Sequence, residues 1–509
     1  MPARRTPTSS GPYDVIVVGS GFGGLCCALI LARHGKKVLV LEQHYRAGGY
    51  LHRFRHMGTW YDTGFHYTGA LAPEQVMAKV MRYIGIADKI SPHALDRDGF
   101  DHIVFNDGWT FRVPWGHDAF AERLCDAFPD DAAACRRYVA DMREMVARFP
   151  MYNLAKDRPD VPVGIMEGPS LAEYLAALTP NPRLRRVLSA QGVLYGVMPK
   201  DTPLPVHMLV IDSFLQSAWG IDGGGDAIAQ ACVERLGELG AEVRTHARVT
   251  AIEVDGDRNV TGVVVDGEER LAAPTVIANV HPKALLDLVP PGVFRPAFTN
   301  RVRDLKDGIG TFNVYLKTSA DLSSFGAHNV YRLTGEDVDQ AYTDLTAGPG
   351  RRPCIYYTVP SARDRRHQGE HIVVALGFMW YEDVARWAGT RTFKRPEDYD
   401  AFKMESAAGV VAVLEEDLPA LRDHILTVEA STPLTNLHYT RNSGGAAYGI
   451  YHDRAQAMQA LQPRTRVTGL LLTGHAVLLP GITGVALTAF YTCAYLLGFT
   501  ALREGLASA

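Results

Sequence analysis

The stretch that most constrains this chain is DVIVVGSGFGGLCCALILARHGKKVLVLE, residues 14–42. Asp14–Val18 is a short β-branched run suited to a buried parallel strand. It runs into Gly19-Ser20-Gly21-Phe22-Gly23-Gly24, a G-x-G-x-x-G pattern. Leu25–His34 then reads as a helix, Gly35 as its stop, and Lys37–Leu41 as a second strand. Gly19 permits the tight turn, Gly21 lets a pyrophosphate approach the backbone, and Gly24 lets helix and strand pack closely. The helix N-terminus offers free N–H groups and a positive dipole end. Glu42 stands 18 residues beyond Gly24, placed to accept hydrogen bonds from a ribose. A lone glycine pattern is weak. Strand, helix, strand and terminal acid in this order predict a dinucleotide-binding unit rather than a structural glycine turn.

At roughly 150 residues per domain, a chain of 509 residues suggests two to four domains. Its 47% hydrophobic content excludes disorder and supplies a large core, and a net charge of −4 gives no footprint for nucleic acid. Seven cysteines without C-x-x-C or zinc spacing point to a reduced, cytoplasmic chain. His44, His52, His56 and His66 fit no ligand pattern, so no metal is expected. Residues 1–9 read as a disordered tail. Val467–Leu502 carries no Asp, Glu, Lys or Arg and is long enough to cross a bilayer. Gly474, Pro480, Gly481 and Gly484 break it, however, and a buried strand–loop–helix is the better reading.

After Glu42 come Gln43-His44-Tyr45-Arg46-Ala47-Gly48-Gly49, a second glycine pair. Nicotinamide domains do not need that pair, whereas FAD enzymes of the glutathione-reductase-like class usually have it. LEQHYRAGGYLHRF, with Tyr61-Asp62-Thr63-Gly64-Phe65-His66-Tyr67 behind it, resembles the retinol saturase branch of the carotenoid/retinoid oxidoreductase family. Phytoene desaturases and carotenoid isomerases belong to the same family. The resemblance extends through Phe128-Pro129-Asp130, the glycine-rich Trp219–Gly225, the strands in Glu242–Ile252, Ser431–Tyr448 and Leu470–Val485. It implies an α/β fold: a glutathione-reductase-like, Rossmann-type FAD-binding domain with an inserted α+β substrate-binding domain. Flavin-binding pieces are expected at 10–95, 219–285 and 425–509, and substrate-domain pieces at 96–218 and 286–424. Gly310–Leu316 and Ile372–Met379 should be strands of the insert, and Ala132–Phe149 and Ser170–Leu178 helices.

The same resemblance implies FAD contacts from Gly19, Gly21, Phe22, Gly23, Gly24, Glu42, Gln43, Gly48, Gly49, Thr63, Gly64, Val249, Gly474, His475, Gly484 and Val485. The broader class places an acid after the last strand's glycine; this chain has His475, so no ribityl acid is carried over. Gly223-Gly224-Gly225 follows a turn-like segment rather than an apolar strand, so no second nucleotide domain is expected. Electrons must therefore pass to or from an external donor or acceptor, or the cycle is redox-neutral.

The implied substrate is a hydrophobic polyene or isoprenoid, which calls for peripheral membrane contact. His207–Leu215 is the candidate entrance wall or docking surface, with a buried helix as the plainer reading. Saturation, desaturation and isomerisation all need an acid/base group near the flavin. His66 and Tyr67 are the first candidates, on opposite faces, and only one is expected to reach the substrate. His475 and Tyr448 are weaker candidates. Arg441 and Asn436 contact cofactor phosphate or cap loops, and Asp62 fixes backbone N–H groups. Three functions remain: an FAD-dependent saturase or desaturase of a polyene lipid, a carotenoid cis–trans isomerase, and a flavin-free prenyl-binding escort protein.

Overall fold

The computed structural model describes residues 13–154, 167–334, 346–367, 369–457 and 461–509; the tail expected at 1–9 lies outside them. Its centre is a five-stranded parallel sheet in the order Glu242–Arg244, Val38–Leu41, Val15–Val18, Val276–Ala278, Leu470–Leu472. Strand alternation assigns the two faces. Val15, Val17, Val38 and Val40 join the cluster that contains helix Phe22–Arg33. Ile16, Val18, Leu39 and Leu41 pack instead against the antiparallel meander Val249–Val254, Val260–Val265 and Glu269–Ala272. With both faces covered, every residue of the two opening strands is buried, and their sequence is continuously apolar rather than alternating.

Helix Phe22–Arg33 lies between helices Gly481–Leu497 and Gly224–Glu238. Leu470–Leu472 followed by Gly481–Leu497 is the buried strand–loop–helix expected of the uncharged stretch. Among the described residues no helix is long and apolar enough to cross a membrane.

The second large sheet has seven strands, in the order Ile425–Ser431, Gly310–Thr318, Ile372–Met379, Ile355–Thr358, Asn329–Arg332, Asp101–Val104, Thr110–Val113. All neighbours are antiparallel except Asn329–Arg332 with Asp101–Val104. Both inserted pieces thus contribute to one sheet. The boundary drawn at 425 needs correcting, because Ile425–Ser431 pairs with Gly310–Thr318 and the insert extends to Ser431. The segment before Gly223 also differs from expectation. Ala218–Ile221 is a strand, but it pairs antiparallel with Thr68–Gly69 and Pro92–Ala94 and does not build a parallel nucleotide unit.

Candidate active site

A cavity of ≈ 600 Å³ opens at the carboxyl ends of the parallel strands. Three separated stretches meet there. The first supplies Gly19, Gly21, Phe22, Gly23, Glu42, Gln43, Gly48 and Gly49; the second Val249 and Asn279; the third Gly474, His475, Gly484 and Val485. Thr63, Gly64 and Arg441 also line it. Gly24 does not, and its task is packing: a Cβ there would overlap the Gly19 carbonyl oxygen. Gly19 itself has φ +94°, a conformation that glycine alone takes at little cost.

Hydrogen bonds tie the turns together. The Gly48 N–H donates to the Ser20 carbonyl at 3.1 Å, which brings the second glycine pair onto the first. Glu42 Oε1 accepts from the His44 N–H at 2.8 Å, and Arg46 pairs with Asp226 at 2.6 Å. Asn279, which the sequence reading missed, closes the loop. Its Nδ2 donates to the carbonyls of Gly19 and Gly21, each at 3.3 Å. The available signal was a polar residue ending the apolar run Val276–Ala278, as Glu42 ends Val38–Leu41.

The glycine turn leaves helix Phe22–Arg33 without a side-chain cap or an acid in its first turn. Its leading N–H groups are thus unclaimed by side chains, and the dipole is not neutralised. That is the cradle a pyrophosphate needs, and the residues fit FAD.

Away from the glycines the cavity wall turns apolar, with Leu194, Val206, Leu209, Val210, Phe214 and Leu376, bordered by Tyr67 and Tyr448. Helix Leu204–Gln216 supplies four of these side chains. It contains the segment considered as a docking surface, yet nearly all of it is buried. His207 is held inside by the Tyr138 and Tyr195 hydroxyls at 2.7 and 2.9 Å, so this element is an inner wall.

His66 and Tyr67 point apart. Tyr67 borders the cavity, packs against Phe214 at 4.6 Å, and donates its hydroxyl to Asp101 Oδ2 at 2.9 Å. Burial and the Asp101 carboxyl push the Tyr67 phenol far up. His66 does not reach the cavity; its ring lies 5.5 Å from that of Tyr356, behind the wall. Neither ring nitrogen has a hydrogen-bond partner among the described residues, and burial pushes His66 down to about 4. His66 thus stands as a neutral ring outside the cavity lining, and Tyr67 is the member of the pair that borders the cavity.

His475 and Tyr448 both line the cavity, and burial pushes His475 down to about 3. Asn436 holds Thr311 and the Gly445 carbonyl at 3.1 and 3.2 Å. Asp62, expected to fix backbone N–H groups, forms a bidentate pair with Arg53 at 2.9 Å instead.

Residues 22–496 match the family described as flavin containing amine oxidoreductase. The chain belongs to that family. Among curated relatives, all-trans-retinol 13,14-reductase of Danio rerio is 28% identical, over 96% of this chain and 86% of that protein. Carotenoid 3,4-desaturase of Haloarcula japonica is 24% identical, over 92% of this chain and 94% of its own. An oxidoreductase from Methanosarcina mazei superposes with a TM-score of 0.66 at 16% identity, covering 93% of this chain and 98% of that one. The glutathione-reductase-like α/β fold, FAD as cofactor and an oxidoreductase activity follow for this member of the family.

Proposed function

We propose that this FAD-dependent oxidoreductase saturates or desaturates a carbon–carbon double bond of a polyene lipid of the retinoid or carotenoid class. The observation that carries this reading is the continuity of one cavity, from the glycine turns to an aliphatic wall bordered by two tyrosines. Each buried methylene contributes roughly 0.8 kcal/mol, so a long hydrocarbon binds through its chain. The names of the curated relatives, a retinol reductase and a carotenoid desaturase, support the same substrate class.

Gly19, Gly21, Phe22 and Gly23 at the helix N-terminus would hold the pyrophosphate of FAD, and Glu42 and Gln43 would hold its ribose. Gly48, Gly49, Thr63, Gly64 and Val249 complete one side of the FAD site, and Gly474, His475, Gly484 and Val485 the other. FAD carries the hydride, and the protein orients the alkene and manages a proton. Tyr67 is the proton-transfer group. An external donor or acceptor completes the electron balance, and the chain meets its substrate by peripheral contact with a membrane.

The test is anaerobic incubation of the protein with photoreduced FAD and all-trans-retinol or a carotenoid. A product two mass units heavier supports saturation. Unchanged mass with a new retention time assigns isomerisation instead, and a colourless, flavin-free protein after gentle purification sinks the oxidoreductase reading.

A further inference from the structure

Behind the wall that carries Tyr67 lies a polar cluster inside an otherwise apolar sheet. Asp101 is fully buried at its centre. Its Oδ2 accepts from the Tyr67 hydroxyl at 2.9 Å and from Gln191 Nε2 at 2.6 Å, and its Oδ1 from Asn329 Nδ2 at 2.9 Å. The Tyr67 and Tyr331 hydroxyls are 2.6 Å apart. Tyr356 and Arg363 both donate to Asn329 Oδ1 at 3.0 Å. The parallel register Asn329↔Asp101 sets this arrangement, so the one parallel pair of the sheet places the carboxyl.

A buried carboxylate costs several kcal/mol unless it is paired or well hydrogen-bonded. Here it receives three donors, yet among the described residues no Lys, Arg or His lies within ion-pair distance. Arg363, whose charge faces it, bonds Asn329 Oδ1 and the His66 and His328 carbonyls instead. A neutral amide would match only one of the two oxygens that these three donors use. What the carboxyl adds is an exchangeable proton, one hydrogen bond from a side chain that borders the cavity. Burial pushes Asp101 up to about 6 and keeps Tyr67 a phenol throughout the neutral range.

We propose that Asp101 is a positioning residue that holds the Tyr67 phenol at the cavity wall and restores its proton after each turnover. This rests on the polyene reading of the cavity. Reduced FAD held at this site would supply a hydride to one alkene carbon. The π bond would break, and its electron pair would take the Tyr67 hydroxyl proton, released from its hydrogen bond to Asp101 Oδ2, at the neighbouring carbon. The phenolate left on Tyr67 takes the Asp101 proton, and the carboxylate regains one from water. Desaturation runs these transfers backwards. The titratable or charged groups facing Asp101 are Tyr67, Tyr331, Tyr356 and Arg363, with Tyr448 behind Tyr331. Of these, Asp101 is the group placed to change charge near neutrality.

The experiment follows product formation by the FAD-loaded, photoreduced protein with all-trans-retinol as pH is raised through about 6. Wild-type kcat is expected to fall as Asp101 loses its proton. Asp101→Asn is expected to lower kcat about 100-fold, flatten that profile and leave KM and flavin absorbance unchanged. Tyr67→Phe is expected to lose the solvent deuterium isotope effect, and it decides the matter if Asp101→Asn fails to retain FAD. A wild type that forms no heavier product overturns the saturation reading and the relay with it. A wild type that turns over while Asp101→Asn keeps its rate and pH profile overturns the relay alone, as does an isotope effect that survives in Tyr67→Phe.

Discussion

Glu42 Oε2 accepts both the backbone N–H and the hydroxyl of Ser20, at 2.9 and 2.6 Å, and so fastens the end of the second strand to the glycine turn. The carboxylate thereby shapes the turn as well as facing the cavity. Glu42→Gln offers one acceptor oxygen where two are used, at a cost of about 1–3 kcal/mol for an unsatisfied buried group. FAD affinity should fall about tenfold or more, read by fluorescence of flavin released on dilution.

Two glycines separate crowding from backbone strain. A Cβ at Gly24 would overlap the Gly19 carbonyl, whereas Gly35 has φ +75° and open space around it. Gly24→Ala should abolish FAD retention. Gly35→Ala should cost only about 1–2 kcal/mol of stability and keep its flavin. Absorbance spectra and thermal melting of the two variants check this; equal flavin content in both would contradict the packing argument.

Shielding of its ring nitrogens pushes His66 down to about 4, and full burial pushes His207 down to about 3, so both rings are neutral near neutral pH. Each folded value lies below the ordinary histidine value, so the unfolded chain binds the proton first. The stability they allow is complete above about pH 6.5 and is lost as pH falls, by about 1.4 kcal/mol per pH unit for each proton. His66→Gln should reduce the fall in Tm between about pH 6.5 and 4, measured by scanning calorimetry against wild type.

Phe214 lines the cavity and packs on Tyr67. Phe214→Ala removes apolar contact worth about 1–3 kcal/mol. KM for a polyene should rise about tenfold while bound flavin stays constant, as steady-state kinetics with absorbance quantitation would show.

The nucleotide-binding half was legible because its constraints are local. Gly19, Gly21, Gly24 and Glu42 sit at fixed offsets along a strand, a helix and a second strand, and each offset is a packing or hydrogen-bonding requirement. The insert was legible only in pieces. Ile372–Met379 stands as a strand where its β-branched content placed it. The membership of Ile425–Ser431 was not legible, since sheet pairing is a long-range property that no window of sequence contains. His66 against Tyr67 could be narrowed to one inward side chain by alternation but not decided, because the choice depends on which face the distant residues Phe214 and Tyr356 occupy. Asp101 carried no signal at all. Its partners Gln191 and Asn329 stand 90 and 228 residues away.

That central parallel sheet also imposes an order of events on biosynthesis. Its fifth strand, Leu470–Leu472, borders Val276–Ala278 and brings Gly474 against Asn279. A ribosome that has made the glycine turn and both neighbouring strands has still not enclosed the cofactor. Nascent chains shorter than about residue 474 must then wait with an open groove, and flavin capture becomes one of the last steps of maturation.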